Sequence, residues 1–190
     1  ARPTSALPRN CRPRAAAVPA PHAFIALRLL TALFGAETIE VPERDFRFDL
    51  EALLAAITPE TRVVFIANPN NPTGTLVSQE EIDRFMERVP KEVVVVFDEA
   101  YHEYLEDAPD TLRFVRQGRN AIVLRTFSKI HGLASLRLGY GIAPSELIRV
   151  LQKTREPFNT NGVVQAGAVA SLADAEHQRA TKPLTDKGRA

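Results

Sequence analysis

Cysteine is almost absent from these 190 residues: Cys11 stands alone. A single thiol allows no intrachain disulfide and no cysteine-based metal site, and it fits a reducing, cytoplasmic setting. An excess of charge is also missing. The formal net charge is +1, which argues against nucleic acid as the main partner, because phosphate backbones call for clustered Lys and Arg. Long apolar runs are missing too. The longest, 23–36, is broken by Arg28 and Thr31 and falls short of the ~20 residues a membrane-spanning helix needs. Residues 1–22 hold five prolines, four arginines and no acid. They lack the apolar core of a secretory signal and read as a disordered or unrelated tail. No internal repeat is visible.

What is present is ordinary globular composition, 45% apolar and 25% charged. A chain of this size can bury roughly 70% of the surface it exposes unfolded. Phe24 to Phe34 reads as a helix with Gly35 as its C-cap. Thr38 to Val41 is a short strand stopped by Pro42. Asp49 caps a helix through Leu50, Leu53, Leu54 and Ile57. Arg62 to Ala67 is a strand, and Asn68 to Thr75 is turn chemistry. Ser78 and Glu81 have capping-box spacing ahead of a helix reaching Val89. Glu92 to Phe97 is a strand, Thr111 to Gln117 a short helix, and Ala121 to Arg125 another strand. Leu138 to Ala143 adds a strand, Pro144 to Thr154 a helix, and Asn161 to Arg179 an Ala-rich helix. Strands alternate with helices and are apolar throughout. The fold class is therefore α/β, a mostly parallel sheet flanked by helices. In such sheets a ligand lies beyond the carboxyl ends of the strands.

Three segments follow those ends. The first, NPNNPTGT (68–75), is a rigid loop that can hold the Asn71 amide at a fixed point; a plain turn is the simpler alternative. The second begins at Asp98. An acid directly after an apolar strand is either a helix N-cap or a carboxylate paired with a cationic ligand atom. Tyr101 follows, and His102 reads as a bystander without metal-ligand spacing. The third runs through Thr126, Ser128, Lys129, Gly132 and Arg137. A lysine in a loop is ordinarily solvated. Here hydroxyls and a planar guanidinium surround it, a set suited to a phosphate monoester, and an unprotonated amine can form a Schiff base with an aldehyde. The three segments combine into one chemistry. Pyridoxal 5'-phosphate needs a lysine, a carboxylate for its ring nitrogen, donors for its phosphate, and donors for its phenolate oxygen, which Asn71 and Tyr101 can supply. No metal is called for.

NPNNPTGT (68–75), DEAYHEY (98–104) and RTFSKIHGLASLRLGYG (125–141) resemble the three signatures of the fold-type-I pyridoxal-phosphate aminotransferases. The stretches 33–57 and 155–161 narrow the resemblance to the histidinol-phosphate aminotransferases, from about Phe24 onward. The resemblance implies that Lys129 is the Schiff-base lysine and catalytic base, and that Asp98 pairs with the pyridine nitrogen. It implies that Asn71 and Tyr101 contact the phenolate oxygen. Ser128 and Arg137 would be phosphate ligands, Thr126 a weaker one, and Phe24 the aromatic stacked on the ring. Ser135 replaces the family's usual glycine.

The expected division is a tail at 1–22, a partial cofactor-binding large domain at 23–160, and a helix at 161–190 leading into a C-terminal small domain. The family's glycine-containing phosphate loop, upstream of Phe24, has no counterpart in 1–22, and its substrate-carboxylate arginine belongs to the small domain. The expected reaction is transfer of an amino group from histidinol phosphate to 2-oxoglutarate. The partners are a small-molecule amino donor and a 2-oxo acid, with a homodimer at full length, no nucleic acid and no membrane. A pyridoxal-phosphate decarboxylase or lyase acting on an amino-acid phosphate would share the cofactor residues. A non-catalytic remnant is the third reading, and a partial sheet would expose apolar surface.

Overall fold

The computed structural model of the protein describes residues 16–19, 22 and 24–188. Among them, six strands and seven α-helices follow in the order β1 (Ala16–Pro19), α1 (Ile25–Leu33), β2 (Thr38–Val41), α2 (Leu50–Ala55), β3 (Val63–Ala67), α3 (Gln79–Arg88), β4 (Val94–Asp98), α4 (Leu112–Arg116), β5 (Ala121–Thr126), β6 (Gly139–Ile142), α5 (Ser145–Gln152), α6 (Gly162–Ala173) and α7 (Ala175–Lys187). The chain divides into two compact units between Val96 and Phe97, inside β4.

In the first unit the strand order is β2-β1-β3-β4. β1 runs parallel to both neighbours, with Ala16 opposite Thr38 and Ala17 opposite Val64. This corrects the expected tail at 1–22: residues 16–19 are a strand of the sheet, while 1–15, 20 and 21 lie outside the described residues. An Ala-Ala-Val-Pro run among prolines and arginines carries no pattern of its own. Its identity comes from the strands on either side.

The helices of this unit are fixed by their ends and apolar stripes. Asp49 Oδ1 accepts from the N–H groups of Glu51 and Ala52 at 3.1 and 3.0 Å, capping α2. Ser78 Oγ accepts from Glu81 N at 3.3 Å and Glu81 Oε2 accepts from Ser78 N at 2.8 Å, closing the capping box of α3. Ile82, Phe85 and Met86 then share one buried face, the i, i+3, i+4 spacing of an amphipathic helix. With Leu53, Val64, Ile66 and Val95 they form the unit's core. Each such side chain contributes ~1.5–3 kcal/mol through burial.

In the second unit the order is β4-β5-β6. Phe97 and Val123 are fully buried, and the Phe97 and Phe114 rings stack at 6.2 Å. β6 is antiparallel to β5, with Thr126 opposite Gly139 and Val123 opposite Ile142. The 127–138 connection holds only a short 3-10 turn, Ala134–Leu136. It lacks the crossover helix that usually makes a returning strand parallel. Gly139 is required by close approach: a Cβ there would stand 2.9 Å from the Arg125 carbonyl oxygen.

The Ala-rich helix expected over 161–179 is two helices. Asn161 caps α6 through Val164 N at 3.0 Å. The helix stops at Asp174, whose carboxylate accepts from His177 N at 2.9 Å and starts α7. Val163, Val169 and Leu172 on α6 stay exposed, as do Leu29 and Leu33 on α1. No helix among the described residues is long and apolar enough to cross a membrane.

Candidate cofactor site

β4 and β5 end side by side in the second unit, where Glu99 N donates to Leu124 O at 2.9 Å. Asp98 closes β4 itself rather than following it. The next regular turn, His102–Tyr104, has Tyr101 at its N-cap, so Asp98 is not a helix cap, and that reading falls. Its carboxylate instead turns back on the chain, with Oδ1 accepting from Ala100 N at 3.2 Å. Burial raises the Asp98 carboxyl above its ordinary pKa. The Ala100 N–H opposes the rise, the neighbouring Glu99 charge adds to it, and the Lys129 charge opposes it. Asp98 is therefore a partly desolvated acid within electrostatic reach of an amine.

That amine is exposed at the turn after β5. Lys129 Nζ lies 4.8 Å from the centre of the Tyr101 ring, a cation–π contact. The backbone carrying it is held from below by Phe127, buried and set against His131 and Tyr140 at 5.0 and 5.5 Å. Leu133 N donates to Phe127 O at 2.9 Å, and Gly132 N donates to Lys129 O at 2.9 Å. Gly132 takes φ +68, left-handed backbone that suits glycine.

Ser128 and Arg137 meet beside the amine. Arg137 Nη1 donates to Ser128 Oγ at 3.4 Å and to Ala134 O at 2.7 Å. Arg137 itself sits at φ 53, a strained value for a long side chain, the kind of outlier that gathers at ligand sites. A hydroxyl beside an exposed guanidinium is a donor pair for a phosphate monoester. Thr126 behaves differently. Its hydroxyl accepts from Ser128 N at 3.0 Å and donates to Leu138 O at 3.4 Å, so it holds the turn together.

Asn71 and Phe24 belong to the first unit. In the 68–75 loop, Asn68 pairs both ways with Val77, at 3.1 and 3.0 Å. Asn70 Nδ2 donates to Thr73 Oγ1 at 2.9 Å, and Gly74 N donates to Asn70 O at 2.8 Å. Asn71 makes no side-chain hydrogen bond among the described residues, so its half-buried amide is the one left over by a loop built from its neighbours. Phe24 precedes α1 and is 42% exposed.

Sequence reasoning missed Glu99. It is 3% exposed and accepts from Arg125 Nε at 3.0 Å and Nη2 at 2.9 Å, and Thr111 Oγ1 donates to its other oxygen. The available signal was an Asp-Glu pair closing one apolar strand and an arginine closing the next. His102, read as a bystander, has Nδ1 3.4 Å from the same carboxylate.

Acid, amine, aromatic hydroxyl and phosphate donors thus gather at one pair of strand ends. That donor set fits pyridoxal phosphate, whose ring nitrogen, aldehyde and phosphate need these groups. The profile of the family "Aminotransferase class I and II" matches residues 17–186. A histidinol-phosphate aminotransferase of Akkermansia muciniphila is 56% identical over 177 residues, 93% of this chain and 49% of the relative. The enzyme of that name from Moorella thermoacetica is 52% identical over 160 residues, 83% of this chain and 42% of the relative. The crystal structure of the Sinorhizobium meliloti histidinol-phosphate aminotransferase in complex with pyridoxal-5'-phosphate superposes with a TM-score of 0.82 at 33% identity, covering 89% of this chain and 46% of that one. The chain spans about half the length of the curated relatives it matches.

Proposed function

The chain belongs to the class I and II aminotransferases, and from that premise we propose that it carries the pyridoxal-phosphate site of a histidinol-phosphate:2-oxoglutarate aminotransferase acting in histidine biosynthesis. The observation that carries the reading is the half-buried Asp98 at the end of β4, within electrostatic reach of Lys129 after β5, with Arg137 donating to Ser128 next to Lys129 in the chain. When bound, pyridoxal phosphate supplies an aldehyde for amino groups and a protonated ring that draws electrons from the substrate Cα.

The chain's own residues do the rest. Lys129 would offer the amine for the aldehyde carbon and the group that takes and returns the Cα proton. The Asp98 carboxylate keeps the proton on the ring nitrogen. Its desolvated position strengthens that pairing, because a charge–charge contact gains as the local dielectric falls. The Tyr101 hydroxyl would donate to the phenolate oxygen, a role that the resemblance also gives to Asn71. Ser128 and Arg137 would hold the phosphate, Thr126 shapes the turn that presents Ser128, and Phe24 keeps the ring-stacking role that the resemblance gives it.

The amino donor, the 2-oxo acid acceptor, a homodimer at full length, a cytoplasmic location and a large domain ending near 160 belong to the same proposal. They are supported by the relatives' names and by the site's donor set. The test is borohydride reduction of the chain with pyridoxal phosphate, followed by peptide mapping. A visible absorbance band and a reduced adduct on Lys129, both absent in Lys129→Ala, support the reading. A folded chain without either sinks it.

A further inference from the structure

Two carboxylates in succession close β4, and the structure treats them unequally. Glu99 is nearly inaccessible and fully engaged: Oε2 receives both Arg125 Nε and Nη2, at 3.0 and 2.9 Å, and Oε1 receives the Thr111 hydroxyl. Its backbone joins as well, with Glu99 N donating to Leu124 O at 2.9 Å and His102 N donating to Glu99 O at 3.0 Å. A carboxylate this deep persists as an ion only with a partner and filled lone pairs. Arg125 supplies the partner from the last turn-free stretch of β5, four residues before Lys129. Asp98 has no arginine. It meets one backbone N–H and the charges of Glu99 and Lys129.

We propose that Glu99 and Arg125 are positioning residues for the candidate site: their buried ion pair ties the end of β4 to the end of β5 and offsets part of the Glu99 charge, leaving Asp98 as the acid offered to a cationic ligand atom. The inference rests on the reading above for the identity of that ligand. Its physics does not. Two like charges on neighbouring residues resist joint ionisation, so an uncompensated Glu99 would hold Asp98 in its neutral form, useless to a ring N–H. Arg125 lessens that competition. The two guanidinium nitrogens that converge on Oε2 also fix direction, which a single ammonium would not.

The test uses the 190-residue chain without cofactor, following the Asp98 side-chain carboxyl carbon by NMR as pH is varied. Glu99→Gln removes the repelling charge, so the Asp98 midpoint moves down. Arg125→Gln leaves Glu99 with the Thr111 hydroxyl and the His102 ring, whose Nδ1 lies 3.4 Å from Oε2, so above the pH at which that ring loses its charge the midpoint moves up. Arg125→Lys keeps the charge and loses the fork: the midpoint stays near that of the parent chain, while hydrogen exchange at the Glu99 amide speeds up. Opposite shifts from the two neutralising variants are the signature, because loosened packing alone would move both the same way. Equal-signed shifts, or no shift, in chains that keep their dispersed spectra overturn the proposal. So does an Arg125→Lys chain that moves Asp98 as far as Arg125→Gln does. If Arg125→Gln fails to fold, Glu99→Gln still decides, since a folded Glu99→Gln chain with an unlowered midpoint overturns it. No cofactor enters this titration, so its failure is distinct from failure to trap an adduct on Lys129.

Discussion

Replacing Gly139 by alanine adds one methyl group where the chain has no room for it. Gly139 is not at positive φ, so conformation alone would welcome the change, and an unstrained Gly→Ala stabilises by about 0.4–1 kcal/mol through the unfolded chain. The structure reverses the sign. The new Cβ would lie 2.9 Å from the Arg125 carbonyl oxygen and 3.7 Å from the Thr126 Cα. Both belong to backbone that pairs with β6, so neither can swing aside as a side-chain tip would. Forcing a methyl group into packed structure costs about 1–3 kcal/mol, which leaves a net loss of about 1–2 kcal/mol once the entropic gain is subtracted. Urea unfolding followed by circular dichroism measures it as a lower midpoint at unchanged slope. Gly118→Ala is the control. There the added Cβ meets nothing within 4 Å but φ is +71, so the cost of about 1–2 kcal/mol is strain alone. The two variants should separate in function. Gly139→Ala displaces the strand leading to Lys129 and weakens adduct formation, whereas Gly118→Ala leaves it intact. A Gly139→Ala chain as stable as the parent, or more so, refutes the close-approach argument.

Other expectations follow from the same structure. The Asp98 carboxyl is raised by burial, so the native chain keeps its proton to higher pH than the unfolded chain does. The Asp98 contribution to stability is therefore most favourable below the unfolded pKa and declines as pH rises through the folded one. Asp98→Asn should abolish that decline and melt higher than the parent at neutral pH, while pyridoxal phosphate binding weakens. A variant that melts lower at neutral pH contradicts the desolvation argument. Ser78→Ala breaks the α3 capping box and should cost about 1 kcal/mol in chemical denaturation; a loss under a few tenths would show that the cap is dispensable. Phe97→Ala empties a fully buried position stacked on Phe114 and should cost about 3–5 kcal/mol, with a near-neutral result pointing to a core that collapses around the gap.

Local chemistry made most of the elements legible. β3, β4 and β5 are short apolar runs bounded by turns, and α3 announces itself by Ser78, Glu81 and the Ile82–Phe85–Met86 stripe. Asp98 and Lys129 stood out as candidates because the first closes such a run and the second follows the next within three residues. What escaped was set by partners distant along the chain. β1 has no pattern without β2 and β3 beside it. The stop between α6 and α7 depends on one aspartate in an Ala-rich stretch. Glu99 acquires its role from Thr111 and Arg125, 12 and 26 residues away, and no spacing rule joins them. The helix-cap reading of Asp98 failed for a related reason: whether a strand ends at Phe97 or Asp98 is decided by pairing, not by propensity.

The division of labour in the 68–75 loop bears on how variation there should be interpreted. Asn68, Asn70 and Asn71 look interchangeable in a string of letters, yet the first two are bonded into the loop and the third is not. Natural or laboratory variants at these positions would fall into separate phenotypic classes. Changes at 68 and 70 would lower the amount of protein that accumulates in a cell. Changes at 71 would leave abundance alone and surface only when the holo form is counted. A survey scored by expression would thus rank Asn71 as the most tolerant asparagine of the three, and a survey scored by pyridoxal phosphate retained would rank it among the least.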